Sequence, residues 1–383
     1  MTRQKRVGIL TSGGDCGGLN AVTRAVVRRA RDYGFAIYGI KDATMGLLSR
    51  PVEAELLDTK RVSSILRYGG TILGTINKNN PFAFPMPDGS LVDRSEEAIE
   101  GYHRLGLDAL IGIGGDGSLA ILDKLARQGN WNLVGVPKTI DNDVGTTEHS
   151  IGFHTALSIA VEALDRLTYT AISHSRVMVL EVMGRDAGHI AIGAGIAGGA
   201  HVILIPELPY SLEKVCEKIL ERKEQGNNYS IVVVAEAVKT ESGEPVRYTN
   251  SLGQTLYGGI GHYIGNEISK RTGIETRVSI LGHLQRGGTP SALDRLFGAA
   301  FGVAALDLVA QNKFGRMVAW QNRRVVDVPI AEAIAQYRSV ELDGALVETA
   351  LGLNTYIGEV DRPHPPYPQS SVDLGLPVPH GGG

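Results

Sequence analysis

Cysteine is scarce in this 383-residue chain: Cys16 and Cys216 are the only two. Two thiols cannot build a disulfide framework, which excludes a disulfide-stapled secreted scaffold and fits a reducing compartment. Positive charge is not in excess either, because 38 Lys and Arg against 41 Asp and Glu leave a formal net charge of −3. No global basic field therefore draws the chain to nucleic acid or to an anionic membrane, and any polyanion must be held by local groups. An apolar leader is missing as well. After Arg3, Lys5 and Arg6 only Val7–Leu10 precede Thr11, too few for the apolar region of a secretory signal, so a cytoplasmic location is expected. The stretch Ala187–Ile205 lacks Asp, Glu, Lys and Arg, yet it holds five glycines. It reads as a buried glycine-rich helix followed by a strand at Val202–Ile205, not as a membrane span. No short-period internal repeat is present.

What is present points to a soluble globular chain, 43% hydrophobic and 21% charged, long enough for two domains. Its 49 glycines cluster beside short apolar runs, as loops that bring backbone close to a ligand require. Strands are expected at Val7–Leu10, Ala36–Ile40, Ala109–Ile113, Leu133–Val136, Val177–Val182, Val202–Ile205, Ile231–Ala235 and Val278–Leu281. Most are unbroken apolar runs, the pattern of strands covered on both faces in a largely parallel sheet. Helices fit between them: one capped by Asn20 and running to about Tyr33, and others at Ser95–Arg104, Ser118–Arg127, Thr155–Leu167, Leu212–Glu224, Tyr257–Arg271 and Asp294–Val309. This alternation predicts α/β architecture with doubly wound, largely parallel sheets and ligands at the carboxyl ends of strands. Residues 77–94 read as a proline-rich surface connection, and the chain after about Asp361 as a flexible tail.

Four constellations fall at strand ends. Thr11-Ser-Gly-Gly-Asp-Cys-Gly-Gly-Leu-Asn20 lies between a strand and a helix, where bare backbone N–H groups can face phosphate oxygens. It is neither a Walker loop nor a full dinucleotide fingerprint, and a tight strand-to-helix turn is the alternative reading. Gly112-Ile-Gly-Gly-Asp-Gly-Ser118 repeats the arrangement and places Asp116 between glycines, free to approach a phosphate-bound Mg²⁺. In Pro137-Lys-Thr-Ile-Asp-Asn-Asp143 the two acids are two apart. In an extended loop they would point to opposite sides, one towards a substrate hydroxyl and one towards the metal shell. Asn and Asp are also ordinary turn formers. Arg176, Met183-Gly-Arg185, Arg277 and His283-Leu-Gln-Arg286 supply cations near strand ends, which suits a second phosphorylated ligand. Glu236 could accept sugar hydroxyls or serve as a salt-bridge partner.

In this order the motifs resemble the 6-phosphofructokinase family over roughly residues 5–325. The resemblance rests on Val7–Asp15, Gly114–Ser118, Thr139–Asp143, Glu181–Gly188, Ile196–Gly199 and Leu281–Gly288. It implies two α/β domains with the active site in the cleft between them. Residues 1–140 and about 250–310 would form the nucleotide-phosphate domain. Residues 141–249 and about 311–360 would form the sugar-phosphate domain, with 361–383 a flexible tail. It further implies transfer of phosphoryl from ATP to the carbon-1 hydroxyl of fructose 6-phosphate, with Mg²⁺. Gly14, Lys78, Gly115, Asp116, Gly117 and Ser118 would hold the nucleotide phosphates, with Asp116 serving the metal. Asp141 would be the base, while Thr139 and Arg185 steady the transferring group. Ile140, Met183, Gly184, Glu236, His283, Leu284, Gln285 and Arg286 would line the sugar site. Arg176 and Arg277 would reach the sugar phosphate from a neighbouring subunit of a homotetramer.

Two residues bear on the donor. Gly117 resembles ATP users, since a carboxylate there would crowd the nucleotide's α-phosphate. Lys138 resembles pyrophosphate users. Exclusion discriminates more sharply than added attraction, which favours ATP. A pyrophosphate-dependent phosphotransferase, an NAD kinase sharing only the Gly-Gly-Asp-Gly loop, and a catalytically silent regulatory paralogue are the rival readings. At the expected effector site Arg24 and Arg28 are kept. Thr168 stands in place of an Arg, His201 in place of a metal-binding Glu, and Asn227-Asn228 in place of lysines, so weakened or altered allostery is expected.

Overall fold

The computed structural model describes residues 3–77, 80–249 and 255–360. Two sheets organise the chain. The larger has eight strands, ordered Arg324–Pro329, Arg316–Gln321, Leu133–Thr139, Ala109–Gly114, Arg6–Thr11, Ala36–Ile40 and Ala54–Leu57, with Ile151–Gly152 beside Leu133–Thr139. Its centre is parallel and its two outermost pairs are antiparallel. The smaller sheet is wholly parallel, in the order Val202–Leu204, Ser230–Ala235, Val177–Val182 and Thr276–Ile280. The expected apolar runs supply the inner strands because helices cover both faces and leave no solvent side to carry polar residues. Leu10, Ile111, Val134, Val179 and Val233 are fully withdrawn from water.

The sheet partners correct the expected domain boundaries. Thr276–Ile280 pairs with Val177–Val182 in the smaller sheet, although about 250–310 is expected on the nucleotide side. Arg316–Gln321 pairs with Leu133–Thr139 in the larger sheet, although about 311–360 is expected on the sugar side. Both strands lie outside the centres of their sheets and are only partly buried, so their sequences carry little to show which sheet they join. The edge strands Ala54–Leu57 and Arg324–Pro329 lack an unbroken apolar run for the same reason. Lys78 and the tail from residue 361 lie outside the described residues.

The helix after the first strand runs Leu19–Tyr33 and begins at Gly18, whose φ of 104° lies in the left-handed region. Asn20 is not its cap. Asn20 is buried, and its amide donates to the Tyr68 and Gly69 carbonyls and accepts the Ile72 N–H, tying a distant loop to the helix. The stretch 187–205 forms the expected helix, His189–Ala197, followed by the strand Val202–Leu204. Among the described residues no helix is long and apolar enough to cross a membrane.

Helix Leu19–Tyr33 lies against helix Ala292–Ala310 through glycines. A Cβ at Gly302 would stand 2.6 Å from the Val22 carbonyl oxygen, and one at Gly298 3.0 Å from that of Gly18. These are backbone atoms, so neither clash can be relieved by a rotamer change. Gly302→Ala would gain about 1 kcal/mol in helix propensity but lose about 1–3 kcal/mol to overpacking. A net loss is expected, read as a lower denaturation midpoint with unchanged slope.

Candidate active site

Three loops leave the carboxyl ends of adjacent strands of the larger sheet. In the first, Ser12 N–H bonds the Ile113 carbonyl at 2.9 Å, and Gly13 takes a φ of 83°. The buried Lys138 ammonium donates to the Gly14 carbonyl at 2.6 Å. Burial pushes that ammonium below the usual lysine range. In the second, Gly115 precedes helix Asp116–Gly129, so Asp116 sits at the helix start, where the free N–H groups favour an anion. A Cβ at Gly117 would meet nothing within 4 Å. Ser118 packs against Gly114 and Gly13.

The third loop carries the acidic pair. Its strand runs on to Thr139, past the Val136 end expected from the apolar run. The Thr139 hydroxyl accepts the Asp141 N–H at 3.1 Å and faces the Asp141 carboxylate at 3.3 Å. The loop is not extended as expected. Asn142 takes a φ of 56°, and its amide is fixed by the Ser150 N–H and the Glu148 carbonyl. The two acids nonetheless separate, because this turn aims them at different neighbours. Asp141 faces a cavity, whereas Asp143 faces Arg185 and Asp116. Ile140 points into the core.

Across from these loops stand the carboxyl ends of the smaller sheet. Arg185, with a φ of 52°, reaches over to Asp116 at 3.2 Å and Asp143 at 3.7 Å. Glu236 accepts the N–H groups of Arg185 at 3.0 Å and Gly184 at 3.3 Å. The Gln285 amide oxygen accepts the Met183 N–H at 2.7 Å. Asp141, Met183, Arg185, Glu236, His283 and Arg286 line a cavity of about 670 Å³. Burial, and then the nearby Asp143 charge, push Asp141 up to about 6. Burial raises Glu236 to about 7, with the Asp141 charge adding to it.

Not every expected residue converges here. Leu284 is 69% exposed, while Gln285 is buried with its oxygen committed to Met183. Arg176 and Arg277 sit at the amino ends of their strands, paired with Glu275 at 2.8 and 2.5 Å. That is the end of the smaller sheet opposite Met183 and Arg185. His201 accepts the Ile231 N–H, and burial lowers it to about 4, so it adds no cation. Sequence reasoning missed Glu181 as a cavity residue. Its buried carboxylate accepts the Gly259 and Gly261 N–H groups at the start of helix Ile260–Thr272. Its position inside an apolar strand, followed by a glycine pair at Gly258–Gly259, was the available signal.

A divalent cation fits this donor set. Asp143 Oδ2 is buried with no hydrogen-bond partner, and Asp116 stands on the other side of Arg185. Among the described residues no group of three or more His, Cys, Asp or Glu forms a self-sufficient metal site. A hard cation completing its shell with phosphate and water needs no more than one or two carboxylates, as Mg²⁺ does.

Glycine loops, buried carboxylates and arginines thus converge between two largely parallel sheets, the makeup of an α/β phosphotransferase cleft. Residues 6–309 match the Phosphofructokinase family, and the chain belongs to it. It is 62% identical to "ATP-dependent 6-phosphofructokinase 1" of Nostoc sp. over 94% of this chain and 100% of that one. Phosphofructokinase from Pichia pastoris, solved in the T-state, aligns with a TM-score of 0.76 at 30% identity. That alignment covers 88% of this chain and 36% of the yeast chain. A pyrophosphate-dependent phosphofructokinase from Nitrosospira multiformis shares the fold, with a TM-score of 0.75 at 22% identity and 95% of each chain covered.

Glu236 gives a stability test. Its folded carboxyl holds a proton up to about pH 7 against an ordinary value of 4.5. Its neutral form is therefore the favoured one in the fold, and stability from this group is lost as pH rises from about 4.5 to about 7. Glu236→Gln keeps an acceptor for the two N–H groups without the buried charge. At pH 8 it should be more stable than the parent by at least ~1 kcal/mol, with no advantage at pH 4, as read by denaturant titration at both pH values.

Proposed function

We propose that this chain transfers the terminal phosphoryl group of ATP to the carbon-1 hydroxyl of fructose 6-phosphate, giving fructose 1,6-bisphosphate and ADP. The observation that carries this reading is Asp141. It is a buried carboxylate raised to about 6, in the wall of a cavity flanked by Arg185 and Arg286. A base of that strength is ionised near neutrality yet avid enough to take an alcohol proton. As the hydroxyl oxygen bonds to the γ-phosphorus, Asp141 accepts its proton. The bond to the β,γ-bridging oxygen breaks, and its electron pair leaves with ADP. Arg185 leaves Asp116 and Asp143 to face the transferring oxygens, and Thr139 fixes the Asp141 carboxylate. Met183, Gly184, Glu236, His283 and Arg286 hold the sugar, with Ile140 and Gln285 supporting them from behind.

Gly14 and Gly115–Ser118, with Lys78, cradle the donor phosphates through backbone N–H groups and cationic charge. Asp116 and Asp143 hold Mg²⁺, which neutralises phosphate charge when bound. Arg176 and Arg277 act on the sugar phosphate of a neighbouring subunit in a homotetramer, since within their own chain they lie at the far end of the sheet. The enzyme works in the cytoplasm, on small phosphorylated ligands and not on nucleic acid or membrane.

ATP is the donor because the space over Gly117 is open. Pyrophosphate is the second reading, favoured by Lys138, whose buried ammonium backs the first glycine loop. A coupled assay offering each donor separately should give turnover with ATP and none with pyrophosphate; turnover with pyrophosphate alone would overturn the reading. A Cβ at Gly117 meets nothing within 4 Å, so Gly117→Asp should fold normally and still lose ATP-dependent turnover.

Two further outcomes test the base. Asp141→Ala should lower kcat by ~100-fold or more, whereas retention of most turnover would exclude the assignment; a parent that turns over neither donor would instead be a catalytically silent protein. In the parent, kcat/KM should fall as pH drops through about 6, because the protonated Asp141 carboxyl can no longer accept the hydroxyl proton.

A further inference from the structure

Asp294 has no solvent-accessible surface, although it lies in the first turn of helix Ala292–Ala310. One carboxylate oxygen accepts the Gly152 N–H at 2.8 Å. The other accepts the Thr155 N–H at 2.7 Å and the Thr155 hydroxyl at 2.5 Å, with the Ser291 hydroxyl at 3.5 Å. Each of these donors is neutral. A buried carboxylate held only by neutral donors is an expensive feature that ordinary helix capping does not need, since an exposed Ser or Asp beside the helix would serve.

The partners explain what the arrangement achieves. Helix Phe153–His174 begins at Gly152, φ 106°, with no capping side chain of its own, so Asp294 caps it from a helix some 140 residues further along the chain. Gly152 also ends the short strand that pairs Ile151 with Lys138 and Gly152 with Thr139. Thr139 in turn holds Asp141. On its other side the same cluster touches the first glycine loop. A Cβ at Gly17 would stand 2.6 Å from the Thr155 hydroxyl, one at Gly18 3.2 Å from Asp294, and one at Gly152 2.5 Å from the Cys16 sulfur.

We infer that Asp294 is a positioning residue that sets the spacing between the glycine loop at residues 12–18 and the base loop at residues 139–143. The inference rests on the reading of Asp141 as the base. Asp294 touches neither donor nor sugar. It fixes Gly152 and Thr155, and these two residues are the backstop for both loops. Burial pushes its carboxyl upward, and the hydrogen bonds from Thr155, Gly152 and Ser291 oppose that shift.

Asp294→Asn preserves size but turns an NH₂ group against the Thr155 N–H. Thr155→Val removes only the hydroxyl, and Thr155→Ser keeps it. With the full chain, and constants expressed per folded molecule, Asp294→Asn and Thr155→Val should lower kcat ~10-fold or more, because misplacement by about 1 Å costs up to ~100-fold in rate. The donor KM should rise ~5-fold or more, and by more than the KM for fructose 6-phosphate, since Met183, Gly184 and Glu236 of the sugar wall belong to the other sheet. Thr155→Ser should remain near the parent. A loss of melting temperature alone, with parental kcat and donor KM, would overturn the inference; so would parallel changes in both KM values. Should Asp294→Asn not fold, the contrast between Thr155→Val and Thr155→Ser decides by the same criteria. Asp141→Ala assayed alongside separates the two ideas. If that variant keeps most turnover, the base reading fails, whatever the Asp294 result.

Discussion

Asp116, Asp141 and Asp143 bring three carboxylates together at the seam between two sheets, and two of them, Asp141 and Asp143, are almost withdrawn from water. Anions so placed repel one another and have lost hydration, so they persist only where cations and N–H donors meet them. Arg185 spans the seam to Asp116 and Asp143, and Arg286 and Arg185 oppose the upward shift of Asp141. Burial, and then the neighbouring carboxylates, raise Asp141 and Asp143, and one oxygen of Asp143 is left without a hydrogen bond. A phosphorylated ligand with its cation would relieve the same strain.

Three further acids are each matched to backbone. Glu236 holds the turn at Gly184 and Arg185, Glu181 the start of helix Ile260–Thr272, and Asp294 the start of helix Phe153–His174. The last two helices begin at glycines in the left-handed region, where no local side chain caps them. A carboxylate from a distant segment then satisfies the free N–H groups and joins two parts of the chain at once. Lys138 inverts the pattern, with a buried cation on the Gly14 carbonyl. Loops that must stay bare of side chains are thus stiffened from behind.

Much of this was legible in the sequence because it depends on local chemistry. Val7–Leu10, Ala109–Ile113 and Leu133–Val136 had to be covered on both faces, and the glycine loops after the first two mark strand ends wherever they occur. Pairing was less legible. Thr276–Ile280 and Arg316–Gln321 are only partly buried, and their apolar content is the same whichever sheet they join, so only the pairing assigns them. Asn20 looked like a cap because Asn commonly is one; Gly18 took that place, and Asn20 went to hold residues 68–72.

The sequence by itself determined the α/β class, the phosphate-type loops, the acidic pair beside them, and membership of the family. Those features reside in residue type and spacing over a few positions. Only the tertiary structure decided which carboxylate faces the cavity, that Arg185 reaches across to Asp116, that Arg176 and Arg277 lie at the opposite end of their sheet, and that Asp294 braces two loops it does not adjoin in sequence. Each of these depends on side chains brought together over scores of residues. Hydration and proton affinity follow from the surroundings so created, which no local pattern encodes.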